Sequence, residues 1–325
     1  MPSIADWKIS ASLQPKPDDY AYDLDQALSA VVGLRAIVPQ DAFTADILGT
    51  ERSGNAVFIR RDGLAVTIGY LITEAQKVWL TLSDGRTVEA HVVAYDQETG
   101  FGLVQALARI EVPYLPLGES AKVQVSERVV LGGAGGRSAS VAARIAAKEE
   151  FAGNWEYVVD EAIFTTPSHP NWGGTALIGS SGELLGIGSL QLEQAREKGR
   201  SEHLNMVVPI DLLKPILDDL MTYGRPNRPA RPWLGLYATE VEDRIVVVGL
   251  TGEGPAAAAG LEVGDIVLDI AGEEVSDLAE FFRLIWAQGD SGAVVPMTVY
   301  RDGRTLKHRI VSGDRNSLLW KPSLH

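Results

Sequence analysis

The feature that most constrains the fold is a series of short alternating apolar runs separated by tight turns. The clearest pair is 78–82 and 87–93, in which apolar and polar residues alternate on either side of Asp84-Gly85. Alternation with a period of two buries one face of a strand, and an Asp-Gly step between two such runs is typical of a β-hairpin. This stretch therefore predicts an antiparallel hairpin within a β-rich domain.

The same pattern continues along most of the chain. Many short strands divided by Gly-rich turns favour an all-β barrel or sandwich. Apolar residues at helical spacing predict helices in 23–32, 209–223 and 276–288, the last with Ser276 as its N-cap. Further strand-like runs lie at 57–59, 64–72, 128–131, 157–159, 175–178, 184–187, 234–239, 244–248, 295–300 and 305–310.

A Pro- and Arg-rich stretch divides the chain into two domains. Residues 225–232 contain no apolar residue beyond alanine, which is typical of a linker. We therefore expect an N-terminal arm with a short helix in 1–30, a large β domain in 31–224 and a second domain with a C-terminal tail in 233–325. A length of 325 residues is sufficient for two domains.

Composition excludes several classes of partner. The chain has 29 Lys and Arg against 43 Asp and Glu, so its net charge of −14 argues against binding to a nucleic-acid backbone. It has no cysteine, which excludes disulfides and thiolate metal sites. The histidines are scattered, and they predict no metal site and no cofactor.

The sequence also bears on location. No apolar run reaches the ~18 residues that span a bilayer, so no membrane span is expected. The N-terminus lacks a basic region followed by an apolar one and does not resemble a signal peptide. We expect a cytoplasmic protein if Met1 is the native start, and a periplasmic one if a leader has been removed.

Two sets of motifs carry a resemblance to a known family. The first is Asn171-Trp172-Gly173-Gly174, and the second is Gly254-Pro255-Ala256 with Ala259-Gly260-Leu261 and Gly264-Asp265-Ile266. Together they resemble the HtrA (Deg) family over roughly residues 55 to 312. The resemblance implies a mainly β fold, with a trypsin-like double β-barrel followed by a PDZ domain. It also implies a serine endopeptidase ancestry and a possible homo-oligomer, with a trimer formed through residues 1–30.

The catalytic triad of the family is absent at each matching position. The resemblance puts Tyr70 where the family has its histidine, Gly100 where it has its aspartate and Trp172 where it has its serine. A tyrosine with a pKa of about 10 is a poor base at neutral pH, glycine orients nothing, and an indole cannot attack a carbonyl. Pro170 replaces a glycine of the oxyanion hole and has no N–H to donate.

Neighbouring residues offer alternatives for the lost groups. Thr166, Ser168 and Thr175 carry hydroxyls close to position 172, and His169 is adjacent. Adjacent side chains in an extended segment point to opposite faces, so Ser168 and His169 are not expected to form a dyad. Trp172 itself either packs as a core residue or presents a surface for stacking a ligand in a closed cleft.

The second domain retains its expected binding features. A PDZ domain adds a peptide to a sheet edge and holds the terminal carboxylate with backbone amides. By resemblance the carboxylate loop is Trp233-Leu234-Gly235-Leu236, where Gly235 allows the amides to turn toward an anion. The helix closing the groove supplies candidates at helical spacing, which could equally be core residues. They are Leu278, Phe281, Phe282 and Ile285.

Two functional hypotheses remain open at this point. The favoured one is a non-catalytic, HtrA-like pseudoprotease that acts as a peptide- or protein-binding scaffold and captures apolar C-terminal peptides or unfolded segments. The alternative is a serine endopeptidase of the same family with an unusual or partner-completed active site. Fold resemblance alone does not separate them, because activity depends on the site.

Overall fold

The computed structural model describes residues 9–196 and 200–320. They form two compact units. The first contains residues up to Glu149, Glu161–Pro226 and Trp320, and the second contains Glu150–Asp160 and Asn227–Leu319. This division differs from the sequence-based one, because the segment Glu150–Asp160 belongs with the second unit.

The first unit begins with a closed six-stranded barrel. Its predicted hairpin around Asp84-Gly85 is confirmed, and Gly85 has the positive φ (84°) that such a turn requires. Phe58 and Phe101 are among the large side chains that fill the barrel. Its strands are β1 (Val31–Ile37), β2 (Glu51–Phe58), β3 (Leu64–Ile68), β4 (Lys77–Thr81), β5 (Thr87–Tyr95) and β6 (Phe101–Ala106). They close in the order β1-β2-β3-β6-β5-β4.

A second closed barrel follows in the same unit. Its strands are β7 (Arg128–Gly132), β8 (Val141–Gly153), β9 (Tyr157–Thr166), β10 (Ala176–Ile178), β11 (Leu184–Arg196) and β12 (Arg200–Pro209). They close in the order β10-β11-β12-β9-β8-β7. Ile9 joins the core of this barrel, and its N–H donates to the Ser138 carbonyl. The predicted N-terminal arm therefore packs on the barrel from residue 9 onward, while residues 1–8 lie outside the described chain.

Short helices complete the first unit. They are α1 (Leu24–Ser29), α2 (Ala45–Leu48) and α3 (Leu217–Tyr223). Asp23 caps α1 by accepting the N–H of Gln26 at 3.0 Å. The prediction of one helix over 209–223 was wrong, because only a 3₁₀ turn (Ile210–Leu212) precedes α3. Pro215 lies between the two. Proline has no backbone N–H and disfavours the helical conformation of the residue before it, so it interrupts a helix here.

The second unit contains an antiparallel sheet and two helices. The predicted hairpin around Asp302-Gly303 is confirmed, and the sheet runs β13-β14-β15-β17-β18 with β16 beside β15. This order puts β13 at one edge of the sheet. The elements are β13 (Leu236–Val241), β14 (Arg244–Leu250), α4 (Pro255–Ala258), β15 (Ile266–Ile270), β16 (Glu273–Glu274), α5 (Leu278–Trp286), β17 (Val294–Arg301) and β18 (Arg304–Val311).

The cap of α5 is one residue later than predicted. Asp277, not Ser276, accepts the N–H of Glu280, at 2.8 Å. The Ser276 N–H instead donates to the Glu280 carboxylate at 2.9 Å, one residue before the N-cap. Both residue types cap helices well, and the sequence alone did not distinguish them.

Across residues 9–196 and 200–320, the helices are all too short or too polar to cross a lipid bilayer. In the same ranges, no group of three or more His, Asp or Glu side chains is arranged to hold a metal ion.

Candidate functional site

The loop that carries Trp172 lies between β9 and β10, and we call residues 167–175 the Trp172 loop. Asn55 on β2 fixes it from the other barrel. The Asn55 N–H and Nδ2 donate to the Gly173 carbonyl at 2.8 and 3.0 Å, and Nδ2 also lies 3.2 Å from the Asn171 carbonyl. The Gly174 N–H donates to Gly188 at 2.9 Å. Since both barrels contribute these bonds, position 172 lies where the two barrels meet.

Tyr70 lies in the 3₁₀ turn that follows β3, and it reaches the same place. Its hydroxyl donates to the Ser189 carbonyl at 2.8 Å. Burial raises the pKa of the Tyr70 phenol above its ordinary value, and a hydrogen bond from the Trp172 side chain acts in the opposite direction. The phenol therefore keeps its proton at neutral pH and directs it at a backbone carbonyl. The structure brings Tyr70 and Trp172 together but gives Tyr70 no capacity to act as a base.

Gly100 lies next to the turn that holds Tyr70. Its carbonyl accepts the N–H of Gly69 at 2.7 Å, and its φ of 82° is in the left-handed region. Asp96, four residues earlier in the sequence, is buried and uses its carboxylate within its own turn. That carboxylate accepts the Thr99 N–H at 3.0 Å and the Thr99 hydroxyl at 2.7 Å. Position 100 thus contributes backbone only.

His169 has both ring nitrogens occupied by backbone partners. Nε2 donates to the Ala139 carbonyl at 2.8 Å, and Nδ1 accepts the Asn171 N–H at 3.1 Å. Burial lowers the pKa of this imidazole, so the neutral form is favoured. Asn205 also bonds the His169 backbone from β12. His169 therefore holds the Trp172 loop in shape and is not placed as a catalytic base.

The three hydroxyls near position 172 have partners other than a histidine. Thr166 donates to Glu202 at 2.7 Å, Ser168 accepts Gln191 Nε2 at 3.0 Å, and Thr175 donates to the Trp172 carbonyl at 2.9 Å. A serine or threonine nucleophile needs a base within hydrogen-bond reach. These contacts hold the Trp172 loop together, and Pro170 in the same loop has no N–H to donate.

The predicted carboxylate loop of the second unit directs its amides at a single carboxyl group. Gly235 has φ 72°, and three consecutive N–H groups converge on the side chain of Glu156. The shortest of these bonds is 2.8 Å, from Gly235 to Oε1. Leu234 and Leu236 donate at 3.1 and 3.3 Å. The loop geometry therefore suits an anion, and an acidic residue of the same chain occupies it.

The apolar candidates for the peptide groove divide into two groups. Phe281, Phe282 and Ile285 are fully buried in the core of the second unit, while Leu278 packs against that core and is partly exposed. Trp233 is also buried, and its backbone exchanges hydrogen bonds with Gly313 at 3.0 and 2.9 Å. Their assignment to peptide binding stays a prediction, because burial in the core explains the first three as well.

Comparison with known proteins places both units. Residues 54–187 match the family of the trypsin-like peptidase domain, and residues 232–311 match the PDZ domain family. The chain is 25% identical over 322 residues to the serine endoprotease DegS of Salmonella typhimurium, covering 92% of this chain and 87% of the relative. It is 27% identical over 272 residues to DegS of Haemophilus influenzae, covering 82% and 78% respectively.

The chain belongs to the HtrA family. Another relative is a probable periplasmic, DegP-like serine endoprotease of Pseudomonas fulva, 28% identical over 78% of this chain and 54% of the relative. Solved HtrA-type structures share the fold. The protease AlgW with a tripeptide has a TM-score of 0.53 at 21% identity, covering 92% of this chain and 97% of that one. A serine endoprotease from Yersinia pestis has a TM-score of 0.52 at 21% identity, covering 90% and 98%.

Sequence reasoning missed Glu156 in this HtrA-family chain. The only local signal was that Asn154-Trp155-Glu156 follows a long stretch of strand-forming residues and would make a turn. Glu156 has φ 60°, so the turn is tight, but its partner amides are at residues 234–236. Contacts between residues so distant in sequence leave no periodic pattern from which they could be read.

Proposed function

We propose that this HtrA-family chain is a pseudoprotease: a peptide- or protein-binding scaffold whose barrels do not hydrolyse peptide bonds. The observation that supports it most strongly is the hydrogen bond from the Tyr70 hydroxyl to the Ser189 carbonyl, at 2.8 Å. The phenol donates its proton to the Ser189 carbonyl, so neither a base nor a nucleophile is available at the two positions that need them. Gly100 and Pro170 remove the orienting carboxylate and one oxyanion donor.

The PDZ domain supplies the binding function in this proposal. It would take the free carboxyl end of an apolar peptide on the N–H groups of Leu234, Gly235 and Leu236, beside the edge strand β13. The HtrA-type protease AlgW has been solved with a tripeptide and with a decapeptide, which supports peptide binding by this chain. Amidating the peptide terminus should abolish binding, because the amide group no longer presents the anion that the loop amides select.

The competing function is a serine endopeptidase with a rebuilt or partner-completed site. What favours it is that the relatives are serine endoproteases. Casein digestion by the purified chain, with and without C-terminal peptides, separates the two functions. We expect no digestion in either condition. Digestion that disappears in Ser168→Ala, Thr175→Ala or His169→Ala would establish the endopeptidase instead.

The location of this chain is inferred from the same set of relatives. Those whose names state a compartment are periplasmic, which favours the periplasmic location over the cytoplasmic one for this chain. Fractionation of cells that produce the full-length protein tests this, with recovery in the cytoplasmic fraction as the contrary result.

A further inference from the structure

The turn between β8 and β9 carries the buried acidic residue Glu156, and we call Glu150–Asp160 the hairpin tip. The hairpin tip belongs to the second compact unit, together with the PDZ domain. The side chain of Glu156 is 93% buried, since only 7% of its surface is exposed. Its Oε1 accepts from Gly235 at 2.8 Å, Leu234 at 3.2 Å and Leu236 at 3.3 Å. A carboxyl group held by three consecutive backbone amides is the arrangement expected for the terminus of a bound peptide.

The backbone beside Glu156 continues this arrangement along the edge of the sheet. The Ala238 N–H on β13 donates to the Asn154 carbonyl at 3.1 Å. Asn154 precedes Glu156 by two residues, and Ala238 follows Leu236 by two, so the tip runs antiparallel to β13 in register. β13 pairs with β14 on its other side and is the edge strand of the sheet. The hairpin tip therefore occupies the edge to which a peptide strand would be added.

Side chains of the hairpin tip contact the core and the helix of the PDZ domain. Val158 is buried in the apolar cluster that contains Leu234 and Phe282. Arg283 on α5 forms ion pairs with Glu150 and Asp160, the latter at 2.5 Å. These pairs are partly exposed and contribute little stability on their own. They do show that the tip contacts α5 as well as β13, the two elements that border a PDZ peptide groove.

We propose that the hairpin tip is an internal ligand of the PDZ groove, with the Glu156 carboxyl group in the place of a peptide's C-terminal carboxylate. An external peptide must then displace the tip before it can bind. The competition with an external peptide rests on the proposed peptide-binding function, whereas the occupancy of the groove by the hairpin tip does not. The partner it implies has a free C-terminal carboxylate and an apolar last residue, because Val158 supplies the apolar contact in the occupied state.

The occupancy is tested first without any peptide. Hydrogen exchange of residues 234–238 is measured in the full-length protein and in Glu156→Ala. Loss of bonds to a carboxyl group should accelerate exchange of these amides by at least about 10-fold. The matched control is Glu149→Ala, an exposed acidic residue on β8 but outside the hairpin tip, and it should leave exchange unchanged. Equal exchange in the wild type and Glu156→Ala would overturn the inference.

Peptide binding is measured next by fluorescence anisotropy, with a short labelled peptide that ends in valine. We expect Glu156→Ala to bind it at least about 10-fold more tightly than the wild type or Glu149→Ala. If the variant loses its near-UV circular dichroism, Glu156→Gly replaces it, since glycine also lacks the carboxyl group and adopts the φ of 60° at this position without strain. Unchanged affinity together with faster exchange would support the occupancy of the groove by the hairpin tip and overturn its competition with an external peptide. Accelerated exchange with no binding by any variant would overturn the proposed peptide-binding function alone.

Discussion

At the scale of single residues, the sequence predicts which residues stand at the triad positions 70, 100 and 172, but it does not give their contacts. The motif around Asn171 and Gly173 predicts that Trp172 stands at the position of the nucleophile. It did not reveal that the Tyr70 hydroxyl bonds the Ser189 carbonyl, 119 residues away in sequence. Local patterns predict the residue types of a site, whereas the fold determines its long-range bonds.

The bond between Tyr70 and Ser189 should contribute to stability. Tyr70→Phe leaves the Ser189 carbonyl without this donor, so we expect the free energy of unfolding to fall by about 1 kcal/mol. Urea denaturation followed by tryptophan fluorescence measures the change. Tyr114→Phe is the control, because Tyr114 is 50% exposed. Equal stability of the wild type and Tyr70→Phe would show that water replaces the bond without cost.

Restoring the three triad residues should restore only a weak protease. In the variant Tyr70→His, Gly100→Asp, Trp172→Ser, Pro170 still provides no N–H, and removing one oxyanion donor lowers kcat by about 10²–10³. Position 100 also has φ 82°, which strains a residue with a side chain. We expect casein digestion at least about 10²-fold slower than that by trypsin, the positive control. Digestion as fast as that by trypsin would show that position 170 does not limit the site.

At the scale of elements, strands with alternating patterns were predictable and helix ends were not. The hairpins around Asp84-Gly85 and Asp302-Gly303 follow from the period of two and the turn residues. The length of β8 and β9 did not follow, because 141–153 mixes alanines with charged residues. The residues of this hairpin pair along β8 and β9, and its tip then contacts the PDZ domain. The environment of the hairpin is therefore set by residues that are distant in sequence.

The cap of α5 gives a direct test at this scale. Asp277→Ala removes the acceptor for the Glu280 N–H and should cost about 1 kcal/mol of unfolding free energy. Ser276→Ala should cost less, because the Ser276 hydroxyl bonds exposed carboxylates and no helix N–H. Thermal or urea denaturation of both variants measures the difference. A larger loss in Ser276→Ala would contradict the assignment of Asp277 as the N-cap.

The pH dependence of the hairpin tip follows from the environment of Glu156. Burial raises the pKa of Glu156 from 4.5 to about 7, while the amides of Leu234, Leu236 and Gly235 act in the opposite direction. Arg315 also lowers this pKa, and the Tyr237 phenol faces the same group with its own pKa raised by burial. When the tip is released, Glu156 would lose its proton near pH 4.5. Between pH 4.5 and about pH 7, Glu156 therefore holds a proton in the bound tip but not in the released tip.

The contribution of Glu156 to holding the tip is therefore complete below pH 4.5 and is lost as the pH rises through about 7. We expect the protection of amides 234–238, corrected for intrinsic exchange, to fall between pH 5 and pH 8. Glu156→Gln does not titrate and should show no such fall. Protection that rises with pH in the wild type would contradict the sign of this shift.

At the scale of the whole molecule, the sequence was sufficient for the fold class and the order of domains. Two closed barrels and a PDZ domain were expected from the motifs, and the family comparisons confirm them. The division into compact units was less predictable, because Glu150–Asp160 belongs to the second unit although the residues on either side of it belong to the first. A linker can be recognised from its composition, but a hairpin whose tip belongs to another compact unit has the composition of an ordinary strand pair.

We propose that this HtrA-family protein lacks the groups for attack on a peptide bond. The most direct measurement is labelling of the full-length protein with a fluorophosphonate, with and without a peptide that has a free C-terminus, followed by mass mapping of any modified residue. We predict no covalent label in either condition, while trypsin in the same reaction is labelled. A label on any serine or threonine, together with casein digestion that the same reagent stops, would contradict the account.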